Sequence, residues 1–135
     1  MTGGPNEVWS YGEEAYEIMC SYLELRERLR PYIAEQMATA ARDGLPPMRP
    51  LFLEFPDDET AWTVADQFLL GPDLLVAPVT AAGAVSREVY LPARARWRCA
   101  WTDATYEGGA WHTLDAPLDR IPLLLRDDAE LPAVG

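Results

Sequence analysis

With 135 residues and an apolar fraction of 49%, the chain can build one ordinary domain core, which excludes disorder throughout. Its formal net charge of −11 leaves no basic stripe to neutralise phosphates, so nucleic acid and anionic membrane surfaces are excluded as partners, whereas a neutral ligand is compatible.

From Ser10 to about Asp43 the apolar residues Tyr16, Met19, Tyr22, Leu23, Leu29, Ile33 and Met37 recur at three and four, which predicts a long helix. Ser10 followed by Glu13 has the form of a capping box, and Gly44 stands where a helix stop is expected. Pro31 removes a backbone donor and clashes with the preceding turn, so a kink near residues 28–30, or two helices meeting there, is predicted. After Pro46-Pro47, the mostly apolar run 48–55 has the profile of a buried strand, and Asp57 or Asp58 can cap a short helix reaching Phe68. Gly71-Pro72-Asp73 breaks the chain again. A long helix, a buried strand and another helix suggest the last unit of an α/β barrel.

Beyond residue 72 the pattern changes to short apolar runs at 74–79, 87–91, 97–101 and 121–125, separated by turns, as in an antiparallel β-sandwich or barrel. Ala81-Ala82-Gly83-Ala84 reads as a mobile loop. The chain therefore divides at Gly71-Pro72 into residues 1–72 and 73–135.

Few side chains point to chemistry. Cys20 and Cys99 lie far apart without CxxC spacing or a nearby histidine, and read as reduced, buried thiols. Met1 is followed by neither a charged nor an apolar leader segment, and no apolar run approaches the ~18 residues of a membrane span, so a cytoplasmic setting is expected. His112, the one histidine, has no visible partner for acid/base or metal work, and neither Ser10 nor Ser21 sits in a nucleophile turn; no metal or cofactor is expected. Of the five tryptophans, Trp97 and Trp101 lie four apart, so in a regular strand they share a face and read as core. Arg49 within an apolar run needs a partner, but strand alternation puts it and Glu54 on opposite faces.

Ordered blocks resemble a known family. Leu29-Arg30-Pro31-Tyr32-Ile33, Gly44-Leu45-Pro46-Pro47-Met48-Arg49-Pro50-Leu51 and Leu53-Glu54-Phe55-Pro56-Asp57-Asp58 resemble glycoside hydrolase family 31. The run 66–79, Val89-Tyr90-Leu91-Pro92 and Trp97 continue the pattern in register, and Val8-Trp9-Ser10-Tyr11-Gly12-Glu13-Glu14 is most similar to α-xylosidase members. The resemblance implies an α-xylosidase or α-glucosidase whose (β/α)8 catalytic barrel is followed by β-sandwich domains. This chain would supply the barrel's last strand and helices plus the proximal sandwich, and a carbohydrate α-glycoside would be the partner of the complete enzyme.

Such enzymes retain anomeric configuration with two carboxylates about 5 to 5.5 Å apart, one attacking and one protonating the leaving oxygen. By resemblance both aspartates belong upstream of the matched region, so the catalytic residues are expected to be none of these 135 and the isolated chain inactive. Trp101-Thr102-Asp103 superficially resembles the family's nucleophile motif, but Tyr106 stands where a glutamate belongs, and Asp103 reads as a turn-capping aspartate. Asp57 and Asp58 follow the expected strand's C-terminal end, where barrel enzymes place their sites, yet read first as helix caps. Trp9, by resemblance, follows the loop after the seventh barrel strand and is the one substrate-binding candidate. Arg49 is expected to find its partner on the upstream barrel. Residues 73–135 would form a self-contained β domain with the long helix folded back over apolar surface or mobile. A stand-alone carbohydrate-binding module and a non-catalytic remnant are the alternatives.

Overall fold

A computed structural model describes residues 5–131; the leader reading at Met1 to Gly4 and the last four residues of the expected second domain lie outside them. The predicted long helix is two helices, α1 (Glu13–Arg28) and α2 (Arg30–Asp43), meeting at Leu29. Pro31 falls in the first turn of α2, where its missing donor costs nothing. Backbone bonds from Leu29 to Leu25 and from Ile33 to Leu29, both 2.9 Å, carry the ladder across the junction. Gly44 ends α2 in the left-handed conformation at φ 74°, donating to the Ala40 carbonyl. The capping box does not form. Ser10 lies one turn early, in a 3-10 turn (Val8–Tyr11), and donates to Glu7 Oε2 at 3.0 Å, while Gly12 caps α1 without a side chain.

The predicted strand at 48–55 is only β1 (Met48–Arg49), followed by a single helical turn, α3 (Leu51–Glu54). The cause is Pro50: with no N–H it cannot extend a ladder, and its carbonyl instead accepts the Leu53 amide at 3.1 Å. The helix predicted to reach Phe68 shrinks to a 3-10 turn (Thr60–Trp62), and β2 (Phe68–Leu70) begins where that helix was to end. Gly71-Pro72 is the turn of a hairpin between β2 and β3 (Leu74–Val76), so both sides of the expected division share one sheet.

Four further strands follow before the last: β4 (Ser86–Leu91), β5 (Arg96–Cys99), β6 (Thr105–Glu107) and β7 (Ala110–Asp115); β8 (Leu123–Arg126) closes the set. The main sheet runs in the order β1-β2-β3-β8-β5-β6 with every pair antiparallel, and β4 and β7 form a separate ribbon. Trp97 is fully buried in β5, but Trp101 lies past the end of that strand, so the two do not share its face.

Alternation sorts the sheet's side chains into two cores. Leu69, Leu75, Trp97 and Leu124 face the ribbon, with Leu51, Phe55, Val89, Leu91 and Leu114. Leu74, Leu123 and Leu125 face the other way, onto Leu25, Leu29 and Tyr32 of the helical segment. The central strands are covered on both sides, which is why they read as unbroken apolar runs. Each such leucine contributes about 1.5–3 kcal/mol by leaving water. The helices thus fold back on the sheet and are pinned there by hydroxyls. Tyr32 Oη donates to the Leu70 carbonyl at 2.7 Å and accepts from Asp73 N–H at 3.2 Å, while Tyr22 Oη donates to the Asp119 carbonyl and accepts from Ile121 N–H.

Candidate functional site

Trp9 sits on the 3-10 turn before α1 and is 69% exposed. The turn is braced by Ser10 on Glu7 and by Tyr11 Oη on Asn6 Oδ1, so the indole stands on an ordered surface turn. Backbone and Ser10 hydrogen bonds hold the Glu7 carboxyl below its ordinary pKa.

The two aspartates after α3 part ways. Asp58 Oδ1 accepts from the amides of Thr60 (3.1 Å) and Ala61 (3.4 Å), and Oδ2 from Tyr90 Oη (2.7 Å) and Ala93 N–H (2.8 Å). Burial opposes its ionisation, but the donors Ala93, Tyr90, Ala61 and Thr60 outweigh burial and hold its pKa below the ordinary value. With both oxygens engaged, Asp58 has the capping role expected and also ties the turn to β4. Asp57 is exposed and pairs with exposed Arg94 at 3.4 Å. The cavity beside them, about 150 Å³, is lined by Glu54, Phe55, Asp57, Asp58, Arg94 and Arg126 among others.

Under that cavity lies an ion network. Arg49, 3% exposed, donates Nη1 to Glu54 Oε1 at 2.6 Å, Nε to the Pro46 carbonyl at 2.8 Å and Nη2 to Gln36 Oε1 at 3.2 Å. Glu54 Oε2 accepts from Arg126 Nη1 at 3.3 Å, and that guanidinium also lies 4.5 Å from the Phe55 ring centroid. Among the described residues the charged partner of Arg49 is therefore Glu54. Alternation fails because α3 interrupts the strand, and the helical turn swings Glu54 back toward Arg49. Pro50 was the available signal for that turn.

The other candidates are dispersed. Asp103 occupies a left-handed turn position at φ 61° and pairs with Arg98 at 2.7 Å, as a turn residue. His112, on the ribbon, has Nε2 3.3 Å from the Glu107 carbonyl and its ring 5.0 Å from that of Tyr106. Ser21 Oγ donates to Ile18 O within α1. Cys20 and Cys99 are unpaired, and only half-buried rather than buried as expected. Trp101 packs edge-on against Tyr22 at 6.3 Å, between helix and sheet.

Three comparisons bear on this arrangement. Residues 44–129 match the Glycosyl hydrolase family 31 C-terminal domain. The crystal structure of a GH31 alpha-xylosidase from a soil metagenome, complexed with xylose, superposes with a TM-score of 0.89 at 53% identity, covering 96% of this chain and 19% of that one. The alpha-xylosidase of Saccharolobus solfataricus is 37% identical over 131 residues, 97% of this chain and 18% of the relative. Alpha-glucosidase 2 of Bacillus thermoamyloliquefaciens is 34% identical over 125 residues, 93% of this chain and 16% of its own length. The chain thus spans less than a fifth of the relatives it matches, and, aligned with them along nearly all its described length, it belongs to glycoside hydrolase family 31.

Proposed function

We propose that this chain is the C-terminal part of a retaining α-glycosidase acting on terminal α-xylosidic or α-glucosidic bonds, in which the helical segment of residues 13–43 borders a (β/α)8 catalytic barrel and the sheet of residues 48–126 belongs to a β-sandwich beside it. In this reading the nucleophile and the acid/base are carboxylates outside these residues. The chain's own work is to close and brace the site. The observation that carries the reading is the role of the best-placed carboxylate: Asp58, at the turn after β1 and α3, spends both oxygens on four donors of its own fold. An acid/base or nucleophile needs a free oxygen aimed at substrate. The exposed apolar side chains Trp9, Leu23, Met37, Met48 and Leu53 support it further, as a surface suited to the rest of a barrel.

Within that enzyme Trp9 is proposed to line the substrate pocket, where an indole can pack on the apolar face of a sugar ring. The test is a graft. Placed in the soil-metagenome α-xylosidase in exchange for its matched portion, this chain should support hydrolysis of an aryl α-xyloside. In that chimera Trp9→Ala should raise KM about tenfold, the loss of roughly 1.4 kcal/mol of ring contact. An active chimera whose KM is indifferent to Trp9→Ala would remove Trp9 from the pocket, and a folded, inactive chimera would oppose the reading as a whole.

A further inference from the structure

The β4–β7 ribbon carries a feature that the glycosidase reading does not use. Trp111 on β7 is 51% exposed, and its neighbour across the ribbon is Tyr90 of β4. The two rings lie 5.3 Å apart at 57°, so Tyr90 backs the indole and leaves the outer part of the ring open. That backing is fixed at both ends. The Tyr90 hydroxyl is bound to Asp58 at 2.7 Å, and its backbone is clasped by the buried Gln67 side chain, which donates to the carbonyl at 2.8 Å and accepts from the amide at 2.7 Å. An exposed tryptophan on so constrained a support loses little freedom when a ligand packs on it.

A cleft of about 320 Å³ opens beside the indole, walled by Asp66, Thr80, Ser86, Arg87 and Glu88. Arg87 is locked across its floor, donating to the Pro78 carbonyl at 2.6 Å and the Glu88 carbonyl at 3.0 Å while pairing with Asp66 at 3.1 Å. The Thr80 and Ser86 hydroxyls and the Glu88 carboxylate make no side-chain hydrogen bond among the described residues, so they are available to a ligand. The volume is that of a small-ligand site, which is roughly 300 to 1,000 Å³.

We propose that this cleft is a saccharide-binding site, with a neutral sugar ring stacked on Trp111 and its hydroxyls bonded to Asp66, Arg87, Glu88, Ser86 and Thr80. The chemistry selects this class. A flat apolar face beside mixed donors and carboxylate acceptors suits a ring with C–H faces and a rim of hydroxyls. Two carboxylates against one guanidinium repel phosphates and acidic sugars. The same ring could stack a planar base, so a nucleoside is the discriminating control.

The test is titration of the 135-residue chain with maltotriose, with an α-xylosyl-glucose disaccharide and with adenosine, following the Trp111 indole N–H resonance by NMR. Saturable shifts with a millimolar Kd are expected for the two saccharides and none for adenosine. Trp111→Ala should weaken binding at least about tenfold and Trp111→Tyr by no more than about threefold, with Trp62→Ala and Trp9→Ala, at the other two exposed indoles, unchanged at this site. An unmoved Trp111 resonance would overturn the proposal, as would adenosine binding as well as sugar, or sugar binding that survives Trp111→Ala in a variant with the parent's circular dichroism. Because binding is read without turnover, a negative result leaves the glycosidase reading untouched, and a failed graft leaves this one untouched.

Discussion

Glu54 takes Arg49 on one oxygen and Arg126 on the other, and so joins the edge strand β1 to β8 through a carboxylate that is mostly out of water. Removing it leaves the nearly inaccessible Arg49 with only neutral acceptors. Glu54→Ala should therefore cost about 3–5 kcal/mol in urea unfolding, and Glu54→Gln, which keeps an acceptor, clearly less. That Arg49 needed a partner was legible in the sequence; which partner was not, because alternation was carried past Pro50 into residues that form a helical turn. The tyrosines give a second prediction. Burial is the largest cause that pushes Tyr32 and Tyr90 up to about 12; Asp58 adds to it at Tyr90. A raised folded pKa favours the folded state below the unfolded value near 10, and that contribution fades as pH climbs toward 12. Stability should accordingly fall by at most about 1.4 kcal/mol per pH unit for each tyrosine, steepest midway through that window, and Tyr32→Phe should flatten the slope.

At the scale of elements, the junctions hold the fold. Gly71 turns the β2–β3 hairpin at φ 65°, and a Cβ there would stand 2.3 Å from the Tyr32 hydroxyl that bonds this same turn. Gly71→Ala is expected to displace the tyrosine and loosen α2, costing about 2–3 kcal/mol and raising amide exchange in α2 before the central strands exchange. Trp97→Ala, at the middle of the ribbon-side core, should cost about 3–5 kcal/mol. Legibility followed coverage. Strands β3 and β8 were visible as Leu74-Leu75-Val76 and Leu123-Leu124-Leu125 because both faces are buried. Strands β6 and β7 were missed, since only Leu114 among their side chains is buried and the exposed ones carry no apolar pattern. The division of α1 from α2 was legible because proline chemistry is local, whereas β2, which begins where the expected helix was to end, was missed because pairing with β3 is not.

At the scale of the whole molecule, what decides the reading is that the best-placed carboxylate, Asp58, is engaged by four donors of its own fold. The ordered blocks made the family legible, because several backbone-constraining residues in sequence identify a fold more surely than a single motif. Of the site, Trp9 alone was offered by the sequence and remains a proposal, since the groups proposed to break the glycosidic bond are not among these residues. The central claim is that this chain braces a glycosidase without supplying its chemistry, and the most direct measurement is turnover of an aryl α-xyloside and an aryl α-glucoside by the purified 135-residue chain. No release above the buffer rate is expected, because on the proposed reading the carboxylates that meet the charge developing at the anomeric carbon lie outside the described residues. Turnover that follows the chain through purification and disappears in Asp58→Asn would contradict the account.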